Sequence, residues 1–336
     1  MGGKQESWKG VAVPYRKRYP DFVIRKAEGC SLSRATSFNK HAVMQFHNKL
    51  ERVLDRHQCF RDGSRLFNLD ETCTSTVPGE QKLLAIKGTK QVSQCTSSER
   101  GTTLLTCCIV GAAGEVVPLV MVFLRVFKPH MLAGAFPGTL GLATKSGWMT
   151  SELFPEVIKH FVKRAGSSKE KPSLLFADNH ESHLSIQSVQ IAKDKGVTIM
   201  IFPPHTTHKL QPLDKTMMGL LKHHYRESVN HWMRINPGHT FSIYNVAGCS
   251  NDAICRSLSL PNIWAGFRTT GIFPFNPSIF TDADFKLSSV TDRPPPAEDS
   301  NPDEPGSNLE DVHRVEISEP VSPLEDLQMH EPVDWP

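Results

Sequence analysis

Two apolar runs in this sequence end directly in an aspartate, and this feature limits the possible folds more than any other. LFNLD ends at Asp70, and LLFAD ends at Asp178. A third acid, Asp214, follows a proline-rich loop and precedes a predicted helix. A carboxylate at the end of a buried strand is costly unless another group binds it. Neighbouring strand ends and a nearby helix start would bring the three acids together, although they lie far apart in the sequence.

The order of the predicted elements indicates how such strands are arranged. Apolar periodicity predicts a strand, two hairpin strands, a helix, a strand, a helix, a strand and a helix. Antiparallel strands followed by α/β crossovers are typical of a mixed sheet with helices on its faces. The sequence therefore predicts an α/β fold. The predicted helices run from about Phe38 to Leu54, from Thr150 to Ala165 with Ser151 as a candidate cap, from Leu184 to Lys195 and from Leu213 to Ile235. A hairpin turn is predicted from Gly111 to Gly114, and residues 83–92 form a further β-rich segment.

The charge of the chain is divided unevenly. The 336 residues carry a net charge of +3. Residues 293–336 contain 12 acids and two arginines, a charge of −10, so residues 1–292 carry +13. Such a basic region favours a polyanionic partner through counterion release, although a lysine-rich surface that only keeps the protein soluble remains an alternative. The acidic, proline-rich tail, residues 286–336, is predicted to be disordered.

The cysteine pattern and the apolar runs exclude several protein classes. Eight cysteines without a C-x-x-C pair form neither a disulfide framework nor a zinc ribbon. The longest apolar stretch, Leu104 to Leu124, is interrupted by glycines, a glutamate and a proline, which predicts two strands and a turn instead of a membrane span. The first residues lack the apolar segment of a secretory signal. These observations predict a reducing compartment, the cytosol or the nucleus.

Three clustered carboxylates would repel one another and resist ionisation in a dry site. A divalent cation removes that penalty, and Mg²⁺ or Mn²⁺ suits oxygen ligands. Two such ions roughly 4 Å apart can activate a water or a 3′-hydroxyl in phosphoryl transfer and stabilise the leaving oxygen. The alternative is structural: each aspartate caps a turn or a helix by itself. The shared placement of Asp70, Asp178 and Asp214 on a basic chain favours the metal site.

Five motifs, in order along the chain, together carry a resemblance to a known family. They are NLDET, SGWMTSELF, FADNHESH, FPPHTTHKLQPLD and GFRTTGIFPFNP. From about Phe60 to Phe285 the chain resembles the DDE superfamily endonuclease domain of pogo, Tigger and jerky-type transposases. The resemblance implies a ribonuclease H-like fold in which Asp70, Asp178 and Asp214 bind two ions, Mg²⁺ or Mn²⁺, for the cleavage and transfer of DNA strands. It also implies a nuclear protein with DNA as its partner, and a possible homodimer because two transposon ends have to be cut.

Two departures from the family pattern bear on this interpretation. Cys73 stands where many relatives have glycine after DET. Relatives also carry helix-turn-helix modules ahead of the catalytic domain, whereas residues 1–59 resemble only the basic linker that follows those modules. The resemblance thus divides the chain into a linker with one helix (1–59), a catalytic domain (60–285) and a tail (286–336). A domesticated nuclear DNA-binding or chromatin protein without catalysis is the alternative function.

Several side chains near the acids are expected to support them. Two H-x-x-H pairs invite a zinc hypothesis, but hydrogen bonding to the carboxylates is the preferred interpretation. This supporting set comprises Glu71, which should point to the opposite strand face from Asp70, and Asn179, His180, His183, His205 and His208. Three lysines near the third acid are expected to contact DNA phosphates or to form a solvated helix face: Lys209, Lys215 and Lys222. Three tryptophans are assigned to the core instead of to base stacking: Trp148, Trp232 and Trp264.

Overall fold

The computed structural model describes residues 18–20, 29–77 and 101–291. The β-rich segment 83–92 and most of the acidic tail lie outside the described residues, so a strand at the first and disorder in the second stay predictions. The sequence assigns residues from 286 onward to the tail, whereas Lys286–Thr291 form a helix. Phe285, just before this helix, stacks on Phe38 at a ring-centroid distance of 5.3 Å. Ser288 within the helix is buried, so ordered packing extends past the predicted start of the tail.

A six-stranded mixed sheet forms the centre of the fold. β1 (Leu66–Ser75), β2 (Thr103–Gly111) and β3 (Val116–Leu124) are successive antiparallel strands, and β4 (Leu140–Thr144) joins β3 in parallel. β5 (Ser173–Ala177) and β6 (Val197–Ile201) continue the sheet in parallel on the other side of β1. The strand order is β4-β3-β2-β1-β5-β6. The α/β, ribonuclease H-like mixed sheet that the sequence predicts is therefore confirmed.

The strand directions bring several carboxyl ends to one edge of the sheet. β1, β3, β4, β5 and β6 run in the same direction, and β2 runs against them. β1, β3, β4 and β5 end on the same side of the sheet, at Ser75, Leu124, Thr144 and Ala177. We call this side the acid edge. Asp70 and Asp178 each lie two residues beyond the last paired residues of β1 and β5, Asn68 and Phe176. The register therefore places these two acids level with each other.

Helices cover both faces of the sheet. Within residues 29–65, three helices precede β1: α1 (Leu32–Ser37), α2 (Lys40–Leu54) and α3 (Gln58–Arg61). Two lie between later strands: α4 (Phe154–Ala165) and α5 (Ile186–Asp194). The others follow β6: α6 (Thr207–Leu210), α7 (Pro212–Thr216), α8 (Met218–Ile235), α9 (Ile243–Ser257), α10 (Leu260–Thr269) and α11 (Lys286–Thr291). Short 3-10 helices cover Pro129–Leu132 and Glu181–Leu184. Within the described residues, none of the helices combines the length and the hydrophobicity needed to cross a membrane.

Alternation along the strands divides the hydrophobic core into two layers. Phe176 of β5 faces the layer that contains Phe46 of α2, and its neighbour Leu175 faces the layer that contains Phe161 of α4. Helix α2 is part of this core, because the ring of Phe46 lies 5.4 Å from that of Phe202. The boundary at residues 59 and 60 between a linker and a catalytic domain stays a prediction.

The observed helix boundaries differ from the predicted ones where local chemistry decides them. α2 begins two residues after its predicted start, and α5 begins at Ile186 with Ser185 as its N-cap. α4 begins at Phe154 with Leu153 as its N-cap, so Ser151 is not the cap. Pro155 explains this shift, because a proline deeper in the helix would clash with the preceding turn. The long predicted helix is divided at Met217 into α7 and α8. The sequence patterns did not predict β4, α9 or α10.

Two of the three tryptophans assigned to the core are exposed. Trp148 is 56% exposed and Trp264 is 46% exposed. Trp148 lies in the turn after the edge strand β4, and Trp264 lies on the outer face of α10, whose buried face carries Phe267. Trp232 is partly buried and packs edge-on against Phe241, with ring centroids 5.2 Å apart. The core assignment is therefore wrong for Trp148 and Trp264.

Candidate active site

Asp70 lies in the middle of β1 and not at its end, so the predicted strand end at this residue is wrong. The alternation of strand side chains decides the direction of Asp70. Asn68 and Asp70 share one strand face, and Asn68 bonds to α7 on that side of the sheet. Glu71 faces the other side, where its Oε1 lies 3.0 Å from Nε2 of His183. The two adjacent acids of the DET motif, Asp70 and Glu71, therefore lie on opposite faces of the sheet.

The buried side chain of Asn68 connects the three elements that carry or precede the acids. Its Oδ1 accepts a hydrogen bond from the backbone N–H of Leu213 in α7, at 3.0 Å. Its Nδ2 donates to the backbone carbonyl of Phe176 in β5, at 3.2 Å. Asn68 and its two partners each lie one or two residues before one of the acids. One amide therefore sets the spacing among β1, β5 and α7.

Asp178 directly follows β5 and is fixed by two donors. Its Oδ1 accepts a hydrogen bond from the backbone N–H of His180 at 3.1 Å and from Nδ1 of His183 at 2.8 Å. His183 is fully buried, and its ring packs on that of Phe154 at a centroid distance of 4.5 Å. Because the other ring nitrogen of His183 reaches Glu71, one imidazole links Asp178 to Glu71.

His183 is a buried cation at neutral pH. Burial lowers the pKa of His183, but its hydrogen bonds to Asp178 and Glu71 outweigh burial and raise the pKa to about 10. Both ring N–H groups therefore donate to carboxylates. Burial raises the pKa of Asp178, yet the hydrogen bond and the charge of His183 bring it below its ordinary value. His183 thus holds Asp178 both ionised and oriented.

Asp70 is in the opposite electrostatic situation. Burial raises the pKa of Asp70 well above its ordinary value, and the negative charge of Asp214 raises it further. Glu71 and Asp178 act in the same direction. Asp214 is exposed in the first turn of α7. The three predicted acids therefore lie within electrostatic reach of one another, and the ionised form of Asp70 bears their repulsion.

Gln211 adds a buried amide beside Asp70. Its favourable contact with Asp70 opposes the rise in the pKa of that carboxyl. Neither Oε1 nor Nε2 of Gln211, however, makes a hydrogen bond of 3.5 Å or less with any described group. Leaving a buried polar group unsatisfied costs about 1–3 kcal/mol. The amide of Gln211 is therefore available to a bound ion or to the water around one.

The donor set at this site fits Mg²⁺ or Mn²⁺, because both ions prefer oxygen ligands. The three aspartates do not form a group whose ligating oxygens all lie within 4.8 Å of one another in the described part of the chain. One Mg²⁺ with ligands at about 2.1 Å would need all of its oxygens within roughly 4.2 Å. The three carboxylates as they stand therefore cannot share a single such ion.

The predicted histidine pairs do not form a zinc site. Neither pair belongs to a group of three ligating side chains with that spacing among the described residues. His180 directs its Nδ1 to Ser182, and Asn179 is exposed beside it. His205 is exposed with a left-handed backbone, φ 58°. The ring of His208 packs against Phe38 at 5.9 Å, and burial lowers the pKa of this imidazole. Of the four histidines, His183 is the one with a described side-chain contact to an acid of the site.

A group that does meet the 4.8 Å spacing lies elsewhere, on α8. It consists of His223, His224 and Glu227. Both histidines pair with Glu227, and Nη2 of Arg256 lies 2.9 Å from the same carboxylate. These contacts account for the group as ion pairs on a partly exposed helix face.

The three predicted DNA-binding lysines have different surroundings. Lys209 lies 3.6 Å from Asp284 and over the ring of Phe38, so its charge is partly occupied. Lys215 is exposed next to Asp214 in the chain. Burial raises the pKa of the Cys73 thiol and the charge of Lys222 opposes this rise, which places Lys222 near β1, beside the strand of Asp70. Lys215 and Lys222 are exposed and Lys209 is partly buried, so the first two are more accessible to a phosphate.

Asn68→Ala should lower the free energy of unfolding by about 2–4 kcal/mol, because the Leu213 N–H loses its acceptor and a cavity forms. Urea denaturation measures this change. Asn39→Ala, which removes the cap of α2, is the matched control and should cost about 1 kcal/mol. Isothermal titration should show that Asn68→Ala reduces the affinity for Mg²⁺ or Mn²⁺ by about 10–100-fold, whereas Asn39→Ala leaves it unchanged. Equal metal affinity in the two variants would contradict a positioning role for Asn68.

His183→Ala should destabilise the protein by about 2–4 kcal/mol at pH 6, because Asp178 and Glu71 lose a shared cation. The folded-state pKa of about 10 exceeds the ordinary 6.5. The stabilisation is therefore fully present below pH 6.5 and is lost as the pH rises toward 10. Urea denaturation between pH 5 and pH 10 should show the difference from the wild type shrinking as the pH rises.

His180→Ala, at the exposed member of the same H-x-x-H pair, is the control for this series. It should lower the free energy of unfolding by at most about 1 kcal/mol at every pH, because only the contacts of His180 with Ser182 at the start of a 3-10 helix are lost. A difference between wild type and His183→Ala that does not depend on pH would mean that His183 is not a buried cation.

Comparison with known proteins relates this site to one family. Residues 99–245 match the family model of the DDE superfamily endonuclease. The matched segment includes Asp178 and Asp214 and begins after Asp70. A curated relative, the MFS-type transporter clz9 of Cochliobolus lunatus, is 32% identical over 135 residues. This alignment covers 40% of the chain and only 15% of the length of that protein.

Solved structures of the Mos1 transposase are also similar. The Mos1 mariner paired end complex with Mn is 15% identical with a TM-score of 0.47, over 83% of this chain and 70% of that one. The catalytic domain of Mos1 mariner transposase is 12% identical with a TM-score of 0.38, over 80% of this chain and 97% of that one. Over residues 99–245 the chain is similar to the DDE superfamily endonuclease, as its motifs predict.

Proposed function

We propose that the chain is a metal-dependent DNA endonuclease of the transposase type, in which Asp70, Asp178 and Asp214 are the catalytic acids and hold two divalent ions, Mg²⁺ or Mn²⁺. The observation that carries this proposal is the state of Asp70. The carboxylate of Asp70 is partly buried and faces the negative charge of Asp214. No lysine, arginine or histidine of the described chain forms a salt bridge with it. A cation would relieve that repulsion.

Two ions suit the spacing of the acids better than one ion does. The three carboxylates are too far apart to share a single ion, and two ions roughly 4 Å apart tolerate a wider set of ligands. Divalent ions held there would supply Lewis-acid activation of a water or a 3′-hydroxyl and stabilisation of the leaving oxygen. His183 orients Asp178, and Asn68 keeps the strands and α7 at a fixed separation. The exposed side chains of Lys215 and Lys222 would meet the phosphates of the substrate.

DNA as the partner is proposed from the charge of the chain itself. Residues 1–292 carry +13, and a polyanion binds such a region by releasing counterions. The Mos1 structures include complexes with a transposon end, with Mn and with Mg, which are properties of Mos1. We also propose a nuclear location, where DNA is available, and a homodimer when two DNA ends are cut together.

Asp70→Asn should raise the melting temperature of the metal-free protein at pH 7, because it removes an unfavourable buried charge. The folded-state pKa of Asp70 is raised, so the penalty is present above that pKa and absent below the unfolded-state value of about 3.9. The gain should therefore disappear near pH 4. Scanning calorimetry in EDTA at pH 4 and pH 7 measures it, and an unchanged melting temperature at pH 7 would speak against a repulsive cluster.

Mg²⁺ or Mn²⁺ should raise the melting temperature of the wild type by about 5–10 °C at roughly 100 times the dissociation constant. Asp70→Asn should lose most of this shift. Asp194→Asn removes an exposed acid at the end of α5, on the opposite side of the sheet from the acid edge, and should keep the full shift. An equal shift in all three proteins would place the ions outside the proposed site.

Nicking of supercoiled plasmid tests the reaction itself. The full chain should nick DNA with Mg²⁺ or Mn²⁺ and not with EDTA. Asparagine at position 70, 178 or 214 should lower the rate at least about 100-fold, while Asp194→Asn stays active. DNA binding without any nicking by the wild type would favour a DNA-binding protein that has lost catalysis.

A further inference from the structure

Trp148 is the largest exposed side chain near the acid edge. It is 56% exposed, although a tryptophan buries more apolar area than any other residue. Its position is fixed by the backbone, because the hydroxyl of Thr144 donates to the Trp148 carbonyl at 3.0 Å. The indole is therefore presented to solvent from a defined turn after β4.

The register of the sheet gives the position of this turn relative to the acids. Thr144 pairs with Leu124 of β3, which lies level with Ser75 of β1, five residues past Asp70. β4 lies three strands from β1. At about 4.8 Å per strand and 3.3 Å per residue, the turn is about 14 Å across and 17 Å along the sheet from Asp70, or about 22 Å in all. That is six or seven base steps of roughly 3.4 Å.

The stretch of chain that leads to Trp148 is basic. Between Glu115 and Glu152 the sequence has no aspartate or glutamate. Three cations of this stretch are exposed: Arg125, Lys128 and Lys145. The backbone N–H of Arg125 donates to the carbonyl of Thr144 at 2.6 Å, so Arg125 and Lys145 emerge side by side next to the turn of Trp148.

Arg125 also occupies a backbone conformation that most residues avoid. Its φ is 65°, in the left-handed region. A non-glycine residue there costs about 1–2 kcal/mol that glycine would not. Such outliers concentrate at sites where a side chain has a task. Here the position supplies a guanidinium next to an exposed indole, the combination found in platforms for unpaired nucleic-acid bases.

We propose that Trp148 stacks on an unpaired base of the DNA whose phosphate is held at the acids, while Arg125 and Lys145 contact the neighbouring phosphates. The proposal rests on the proposed function. It specifies the DNA substrate as a duplex in which one base is displaced from the helix, six or seven base steps from the cleaved bond. A nucleic acid is favoured over a protein partner because residues 116–151 join three exposed cations to an exposed aromatic face and contain no acid.

Two DNA probes of one sequence test the stacking. One is fully paired, and the other carries an unpaired 2-aminopurine that reports stacking by loss of fluorescence. The full chain, in EDTA so that no strand is cut, should bind the unpaired probe roughly 5–150-fold more tightly, the range for one base stacked on an aromatic side chain. Trp148→Ala should abolish the preference and the quenching, and Trp148→Phe should keep part of both.

Trp264→Ala is the matched control, because it removes another exposed tryptophan from a different part of the surface. Trp264 lies in α10, whose first residue, Leu260, contacts Gly114 in the β2–β3 turn on the side away from the acid edge. The preference for the unpaired probe should be unchanged in this variant. Circular dichroism melting should show that both alanine variants remain folded, because both side chains are exposed.

Arg125→Gly tests the phosphate contact of Arg125 without destabilising the fold. Glycine adopts φ 65° without strain, so the melting temperature should stay equal or rise. Loss of one phosphate contact should weaken binding of both probes and reduce the slope of log affinity against log salt by about 1. The charge control is Arg18→Ala, at a described and exposed arginine. Arg61 is unsuitable as a control, because its substitution would disturb a salt bridge with Asp55.

The outcomes separate this proposal from the one on which it rests. If Trp148→Ala binds and quenches the unpaired probe like the wild type, stacking is wrong while DNA binding stands. A wild type without preference between the probes overturns stacking in the same way. If Trp148→Ala instead changes the oligomeric state by sedimentation and leaves the preference intact, the surface is a protein interface. A wild type that binds neither probe at low salt overturns both proposals.

Discussion

The amide of Asn68 holds together the parts of the protein that carry the acids. One side chain accepts from α7 and donates to β5, and it stands two residues before Asp70 on the same face of β1. A strand, its parallel neighbour and a helix far along the chain are thereby fixed at one point. An apolar residue would fill the same space, but it would leave the N–H of Leu213 without an acceptor. The geometry of the site therefore depends on a polar group that is itself not one of the acids.

The charges around this amide are distributed unequally among the acids. Asp178 is neutralised by His183, which also reaches Glu71 on the other strand face. Asp70 faces Asp214 without such a partner among the described residues, and burial adds to their repulsion. The site is thus pre-organised at one carboxylate and unbalanced at another. Asp178 has a permanent cation of the protein, His183, whereas Asp70 offers a position that an external cation can occupy.

The sheet could be predicted, and the three acids could be proposed as a group, because each depends on local sequence. An apolar run that ends in aspartate indicates a buried strand, and the order of such runs determined the mixed sheet. The role of Asn68 could not be predicted, because its acceptor contact lies 145 positions away; its place two residues before Asp70 was the available signal. Gln211 was missed because nothing local shows that its amide is unpaired. Trp148 was misassigned because its exposure depends on β4, a short edge strand without a clear pattern.

The two edges of the sheet have a consequence for how copies of the chain could meet. Among the described residues, the sheet ends on each side in a five-residue strand, β4 and β6, whereas β1, β2 and β3 have nine or ten residues. Short edges offer few unpaired backbone groups to a strand from another molecule. A homodimer of the kind proposed above would therefore be joined by side chains of helices and loops instead of by a continuous backbone ladder. Such a contact can form and separate without breaking the hydrogen bonds within either sheet.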